Sequence, residues 1–445
     1  PRSLSERALA ALDARAQRAR RTPVPDQSPA RQSTLVAHAL ARAWTRSPRD
    51  RHPLVYAALE AAVDLALLEG SALLLGRGAL LADGGPLLAP SFLPDYHGPH
   101  FQRALRRLFV PNEGPFVVHL SLTGACPWTC RYCFASAGGP SAPDVGEAAL
   151  VRVARALAEQ RVPIVILGGG EPLGRFERAL ALIEALSGAS EVRLATSGSG
   201  LTAARAARLE RAGLSVIAIS LDSHEREAVD RVRGEGAFDA ALGALSIAAG
   251  TGLSTLVTAV VRRDTFAKPR AVEALLELVA RTHPRAIVNF LPEFSTGRSA
   301  EGFASPEEFA PYGRHLARVI RDGGHRAACF YGPAMDLLVG CVGAGQRQLV
   351  IDTRANLCAC VSGASFGNLL DEPFDAVWAR MLAAPARLKR GYFCSSVNSA
   401  PSPLPDGEAS MLRALEAFHA TAEDTALQRF IDGAAPIITR ALRDR

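Results

Sequence analysis

The chain has 445 residues, 48% of them hydrophobic, which is enough for a substantial core and excludes a globally disordered protein. No apolar run reaches the length of a membrane span, and the arginine-rich start lacks the apolar stretch and cleavage site of a secretory signal, so a cytoplasmic protein without membrane contact is expected. Basic residues exceed acidic ones by 50 to 44, and ten Arg against four acids in the first fifty residues hold the whole excess. That segment reads as a solvated helix face rather than a nucleic-acid surface.

The chain opens at Pro1, which fits processing or a piece of a longer protein. Residues 1–112 show helical spacing of apolar residues at Leu4–Arg20, Leu35–Trp44 and Leu54–Leu68, and predict a mostly helical domain. From residue 113 the pattern changes. Apolar β-type runs at Phe116–Leu122, Pro163–Leu167, Val192–Ala195, Leu214–Leu221, Ser254–Val261 and Ala286–Leu291 alternate with amphipathic stretches. Those stretches include Glu147–Glu159, Phe176–Leu186, Ala203–Ala212 and Ala271–Ala280. Alternation of this kind predicts an α/β fold with a parallel sheet. Right-handed crossovers would curl it into a partial (β/α)6 barrel over 113–325, with its chemistry on loops at the carboxyl ends of strands. Residues 326–400 break the alternation, carry five of the eight cysteines and contain the β-type run Gln348–Ile351, so they read as a small metal domain. Residues 401–445 read as terminal helices.

Clustered cysteines in a long cytosolic chain point to metal or redox work rather than to disulfides. The first predicted strand runs into Thr123-Gly-Ala-Cys126-Pro-Trp-Thr-Cys130-Arg-Tyr-Cys133, a CxxxCxxC spacing. Three thiolates from one loop can hold three irons of a cubane and leave the fourth iron without a protein ligand. A closed zinc site would need a fourth ligand nearby, and none follows. The second strand ends in Gly168-Gly169-Gly170-Glu171-Pro172, where glycines permit close approach of the backbone and a carboxylate can bind an ammonium.

The CxxxCxxC motif with the aromatic Tyr132 resembles the signature of the radical S-adenosylmethionine superfamily. Further segments follow in that family's order. Gly169-Gly170-Glu171-Pro172 matches its GGEP motif, Thr196-Ser197-Gly198 stands near its Thr-Asn-Gly, and Ser220-Leu-Asp222-Ser with the downstream Arg233-Gly completes the set. The resemblance implies a 4Fe–4S cluster on Cys126, Cys130 and Cys133. It implies S-adenosylmethionine contacts from Tyr132, Gly169, Gly170, Glu171, Ser197, Ser220 and Arg233, with Asp222 near the site. It covers roughly residues 115–325.

The distal segment, Cys341-Val-Gly-Ala-Gly and then Asp352-Thr-Arg-Ala-Asn-Leu-Cys358-Ala-Cys360, followed by Gly367-Asn368, Trp378 and Cys394, resembles the SPASM/Twitch extension of that superfamily. The resemblance implies one auxiliary 4Fe–4S cluster with Cys341, Cys360 and Cys394 as ligands. Cys358 is either the fourth ligand or turned away. Ala355 stands where that extension usually has Gly, and Cys329 matches no ligand position and reads as a small buried hydrophobe. The implied activity is reductive cleavage of S-adenosylmethionine and hydrogen abstraction from a ribosomally made peptide. An external electron donor such as flavodoxin or ferredoxin would be its partner, and the helical 1–112 segment is long enough to dock a leader peptide. A dehydrogenase or epimerase of a small molecule and a non-catalytic iron–sulfur scaffold are the alternatives.

Overall fold

The computed structural model describes residues 114–139, 143–266, 270–293, 297–299, 348–359 and 365–384, with isolated positions at 94, 99–100, 103–104, 107, 268, 312, 315–316, 319 and 328–330. The chain divides into two compact units, and nearly all described residues belong to the unit formed by Gly114–Tyr331 and Cys341–Asn398. The expected helices of 1–112 and 401–445 lie outside the described residues.

The unit is built on one ten-stranded sheet. Strands β1 (Val117–Thr123), β2 (Ile164–Gly169), β3 (Glu191–Thr196), β4 (Val216–Ser220), β5 (Ser254–Val261), β6 (Ile287–Pro292) and β7 (Ala328–Phe330) run parallel and lie side by side in chain order. The intervening helices are α1 (Glu147–Glu159), α2 (Phe176–Leu186), α3 (Ala203–Arg211), α4 (Arg226–Arg233), α5 (Ala237–Ala249), the single turn α6 (Arg263–Phe266) and α7 (Ala271–Thr282). The α/β class expected from the alternation is therefore present, with a sheet that is parallel over most of its width.

Beyond the expected six strands, the sheet continues past β1. Strand β8 (Gln348–Ile351) pairs parallel with β1, Val117 facing Gln348 and Leu120 facing Ile351. Strands β9 (Asn356–Cys358) and β10 (Ser365–Asn368) follow as an antiparallel hairpin, and α8 (Phe374–Ala383) comes next. The Asp352–Asn356 turn is held by the Asp352 carboxylate, which accepts from the amides of Arg354 and Asn356 at 2.9 Å each. Ala355 sits there at φ +66°. A left-handed residue with a Cβ costs on the order of 1–2 kcal/mol, which explains why glycine is the more usual occupant of such a turn.

One face of the sheet is the core. Leu120, Leu122, Leu167, Leu194, Ile217, Ile219, Val257 and Phe290 have no exposed surface and pack beneath the helices. The helices answer with one apolar side each, Leu150, Val153, Ala154 and Leu157 on α1 being an i, i+3, i+4, i+7 set. Full burial of such side chains contributes roughly 1.5–3 kcal/mol each. The opposite face behaves differently. Ser121, Gly168, Ala195, Ala218, Ser220 and Thr258 are only half-buried, and all are small. Register makes them neighbours. Ser121 faces Gly168, a Cβ on Gly168 would lie 3.9 Å from that of Ala195, Ala195 faces Ala218, and Ser220 faces Thr258. The sheet thus presents a strip of small, half-buried side chains across the carboxyl-terminal halves of β1–β5.

Candidate functional site

The loop after β1 carries Cys126, Cys130 and Cys133, each half-buried and each a free thiol. This loop has no regular secondary structure, so its backbone polar groups need partners from elsewhere. Three neighbouring segments supply most of them, and Asp144 holds the loop's start.

The first is the glycine run after β2. Gly170 donates its amide to the Thr123 carbonyl at 2.6 Å and Glu171 donates to the Ala125 carbonyl at 2.9 Å. The contact is so close that a Cβ on Gly170 would lie 2.1 Å from the Ala125 oxygen, and one on Gly169, which has φ +112°, would lie 2.5 Å from the Thr123 oxygen. These glycines do permit close approach, and what approaches is the cysteine loop itself. Gly170→Ala is accordingly expected to push the two loops apart. Anaerobically reconstituted Gly170→Ala should hold well under half the iron of the wild type at the first cysteine cluster, and wild-type iron content would show that the contact is slack.

The second segment is the end of α4. Thr129 and Arg131 donate their amides to the carbonyls of Arg233 and Val232, at 3.3 and 3.0 Å. Arg233 is in turn fixed by Asp222, with Nε and Nη2 donating to the two carboxylate oxygens at 2.7 and 2.8 Å. Both side chains are buried, at 8% and 4% exposure. Asp222 also accepts from the Val260 amide at 2.9 Å and from the Tyr132 hydroxyl. The Tyr132 ring lies 5.2 Å from the Arg233 guanidinium and 5.8 Å from that of Arg262. Burial, reinforced by Asp222, pushes the Tyr132 phenol well above its ordinary range, so it stays a protonated donor.

The third segment follows β6. Arg298 donates Nε to the Cys130 carbonyl at 2.9 Å, Nη1 to the Ala137 carbonyl at 2.6 Å, and its amide to the Cys133 carbonyl at 3.0 Å. At the loop's start, Asp144 accepts from the Thr123 hydroxyl at 2.6 Å and the Gly124 amide at 2.9 Å. The sequence reading picked out neither Arg298 nor Asp144. Asp144 precedes a recognisable helix start, whereas a lone arginine in a loop carries no signal.

The expected site residues fall into two layers. Gly168, Gly169, Gly170, Ser197 and Ser220 are half-buried at the strand ends. Glu171, Asp222 and Arg233 lie beneath, mostly committed to the protein. The Glu171 carboxylate accepts from the Leu173 amide at 3.0 Å, the Thr196 hydroxyl at 2.6 Å, the Ser197 amide at 2.8 Å and the Ser197 hydroxyl. Four donors match the lone pairs of a carboxylate. A ligand ammonium would therefore share or displace the Ser197 hydroxyl, which also accepts from the Trp128 indole N–H at 2.7 Å. Ser197 thus joins the glycine loop to the cysteine loop.

Deeper on the same face, His119 meets the Gln348 side chain across the β1–β8 pair at 2.8 Å. Burial, with Arg193 adding to it, pushes its imidazole down to about 4, so it is neutral near pH 7. Of the distal cysteines, Cys358 is half-buried on β9, while Cys341, Cys360 and Cys394 lie outside the described residues. Cys329 lies on β7, facing Asn289 in the register of β6 and β7.

The donor set of the cysteine loop selects among chemistries. Burial pushes the Cys126 thiol up to about 11, with Glu171 and the two other thiols adding to it, and burial raises Cys130 as well. Such thiols are poor nucleophiles on their own. Among the described residues, no three His, Cys, Asp or Glu side chains converge on a point that would hold a single ion. Three thiols spread over one firmly docked loop fit a polynuclear iron–sulfur group, in which each thiolate takes its own iron and the metal's charge drives deprotonation.

Comparison with known proteins agrees. The family profile described as "Radical SAM superfamily" matches residues 120–275. A "Probable GTP 3′,8-cyclase" of Methanopyrus kandleri is 30% identical over 198 residues, 44% of this chain and 64% of its own length. The "Mycofactocin maturase MftC" of Mycolicibacterium smegmatis is 30% identical over 149 residues, 34% of this chain and 38% of its own. The chain thus spans less than two thirds of the length of these curated relatives. Among solved structures, Streptococcus suis SuiB bound to precursor peptide SuiA superposes with a TM-score of 0.51 at 12% identity, covering 67% of this chain and 74% of that one, a likeness of fold. The family match over residues 120–275 and the docking of the CxxxCxxC loop agree on a domain similar to those of the radical S-adenosylmethionine superfamily.

Proposed function

We propose that this enzyme modifies a ribosomally made peptide by hydrogen abstraction. The observation that carries the reading is the pairing of a docked CxxxCxxC loop with relatives whose names state peptide maturation, the mycofactocin maturase and, at 33% identity over 144 residues, a PqqA peptide cyclase of Methylocella silvestris. With the cluster and S-adenosylmethionine bound, electron transfer into the cofactor yields the 5′-deoxyadenosyl radical that abstracts the hydrogen.

In this reading the sheet curls as a partial barrel, and the protein's residues divide the work. Cys126, Cys130 and Cys133 hold the cluster. The strip from Ser121 to Thr258 takes the cofactor, with Ser220 and the backbone of Gly168–Gly170 facing it. Glu171, with Ser197, orients the glycine loop toward the cofactor's amino group. Asp222 and Arg233 keep the cysteine loop at its height above the sheet, and Tyr132 closes that side. The distal cysteines Cys341, Cys360 and Cys394, with or without Cys358, hold one auxiliary 4Fe–4S cluster, which brings the expected total to about eight irons per chain. Cys358 itself lies on β9, in the hairpin that forms one edge of the sheet. Residues 1–112 dock the leader of the peptide, and a flavodoxin or ferredoxin supplies electrons.

A second reading, a nucleotide or other small molecule as substrate, is favoured by the GTP 3′,8-cyclase relatives. Their likeness spans 42–44% of this chain. Mass spectrometry of candidate precursor peptides after anaerobic turnover separates the two. A mass change in a peptide, with stoichiometric 5′-deoxyadenosine, is expected. Turnover of GTP in place of every peptide tried would overturn the peptide reading.

A further inference from the structure

Arg298 stands apart from every motif of the family resemblance, yet it makes three hydrogen bonds to carbonyls of the cysteine loop. Its guanidinium spans two carbonyls, those of Cys130 and Ala137, and its own amide takes a third, that of Cys133. Two of these carbonyls belong to the thiol-bearing residues themselves. The approach requires glycine beside it. Gly297 has φ +61°, and a Cβ there would lie 2.2 Å from the Cys133 oxygen and 2.5 Å from that of Phe134. The segment is anchored in turn to the end of β6, where the Ser299 hydroxyl donates to Glu293 at 2.6 Å and Glu293 holds Arg262 at 3.1 Å. Among the described residues no carboxylate pairs with Arg298. Its partners are neutral carbonyls, so its full positive charge acts on the loop in a half-buried setting where screening is weak.

We propose that Arg298 is a positioning residue for the iron–sulfur group, fixing the backbone at Cys130 and Cys133 and supplying the fixed positive charge that favours its reduced state. The inference rests on the reading that these cysteines hold the cluster. Reduction adds a negative charge to a group already bearing thiolates, and a cation held beside it offsets that charge. Charge and hydrogen bonding around a cluster are the protein's levers on its potential. The fork geometry fixes the loop and the charge sets the potential, so two substitutions separate the two contributions.

The test uses the full chain, reconstituted anaerobically, as wild type, Arg298→Gln and Arg298→Lys. A redox titration follows the paramagnetic signal that changes when S-adenosylmethionine is added, and release of iron to a chelator is timed separately. For Arg298→Gln the ratio of reduced to oxidised cluster at a fixed potential is expected to fall about tenfold, which is ~59 mV for one electron, with faster release of iron. Arg298→Lys is expected to keep the potential near that of the wild type and still to release iron faster. Wild-type potential and wild-type release in Arg298→Gln would overturn the proposal. Should Arg298→Gln take up no cluster, Gly297→Ala carries the test, because it obstructs docking of the segment that holds Arg298. Faster release of iron and a lower potential are expected there, and wild-type release at the wild-type potential would overturn the proposal. A variant with Cys126, Cys130 and Cys133 all replaced by Ala that still gave the cofactor-responsive signal would instead overturn the underlying reading.

Discussion

Replacing Cys126, Cys130 and Cys133 together by alanine is expected to reduce 5′-deoxyadenosine formation to background. These are the thiols of the loop that three other segments hold in place, and among the described residues no group of carboxylates or imidazoles converges there to replace them. Single replacements are less informative, because water or an added thiol can complete a three-iron ligand set. The loop's docking does not depend on the thiols. Its contacts to Gly170, Arg233 and Arg298 run through backbone atoms, so the triple variant should fold and melt close to the wild type. Iron that it still binds would report on the distal cysteines. Formation of 5′-deoxyadenosine by this variant at the wild-type rate would remove the assignment.

Asp222→Ala should have the largest effect on stability. Asp222 is the shared acceptor for the Arg233 guanidinium, the Tyr132 hydroxyl and the Val260 amide, and it is 4% exposed. Its loss strands a guanidinium in a buried position, and breaking a buried pair from one side typically costs about 3–5 kcal/mol. Chemical denaturation should show a loss of that size. The damage should also reach the metal site, because the carbonyls of Val232 and Arg233 hold Thr129 and Arg131 in the cysteine loop. Asp222→Asn, which keeps the shape and part of the acceptor capacity, should fall between. Wild-type stability in Asp222→Ala would mean that the pair is not closed in solution.

Much of this was legible in the sequence wherever one residue pattern had one physical cause. Strand β5 and helices α1 and α2 have the bounds that the sequence predicts, because each helix buries one apolar face and β5 is an apolar run preceded by turn residues. Helix α5 was harder. It is rich in alanine and apolar over most of its surface, so its spacing gives little contrast. The glycine run implies that something comes close to Gly169 and Gly170, and the structure shows the backbone of Thr123 and Ala125 there. The sequence alone could not show that the close neighbour is backbone from 45 residues upstream (Ala125 against Gly170), since glycine reports clearance and not identity. Strand β8 was read as a short extended run, but four residues do not encode a partner, and its place beside β1 follows from tertiary contact alone. Arg298 was invisible for the same reason. Its function lies in where three carbonyls happen to stand, and those belong to a loop far away in sequence.

The pairing of β1 with β8 has a consequence for how the protein is made. Leu120 must wait for Ile351, more than 200 residues downstream, before one side of β1 has its partner. At ~5–20 residues per second of synthesis, that interval is on the order of ten to fifty seconds. Until then β1, an interior strand of the finished sheet, is the edge strand of a nascent one, with Val118 and Leu120 on one face and open amide and carbonyl groups along its margin. A ribosome that stalls between residues 331 and 347 leaves the seven strands β1–β7 with β1 as an open, adhesive border.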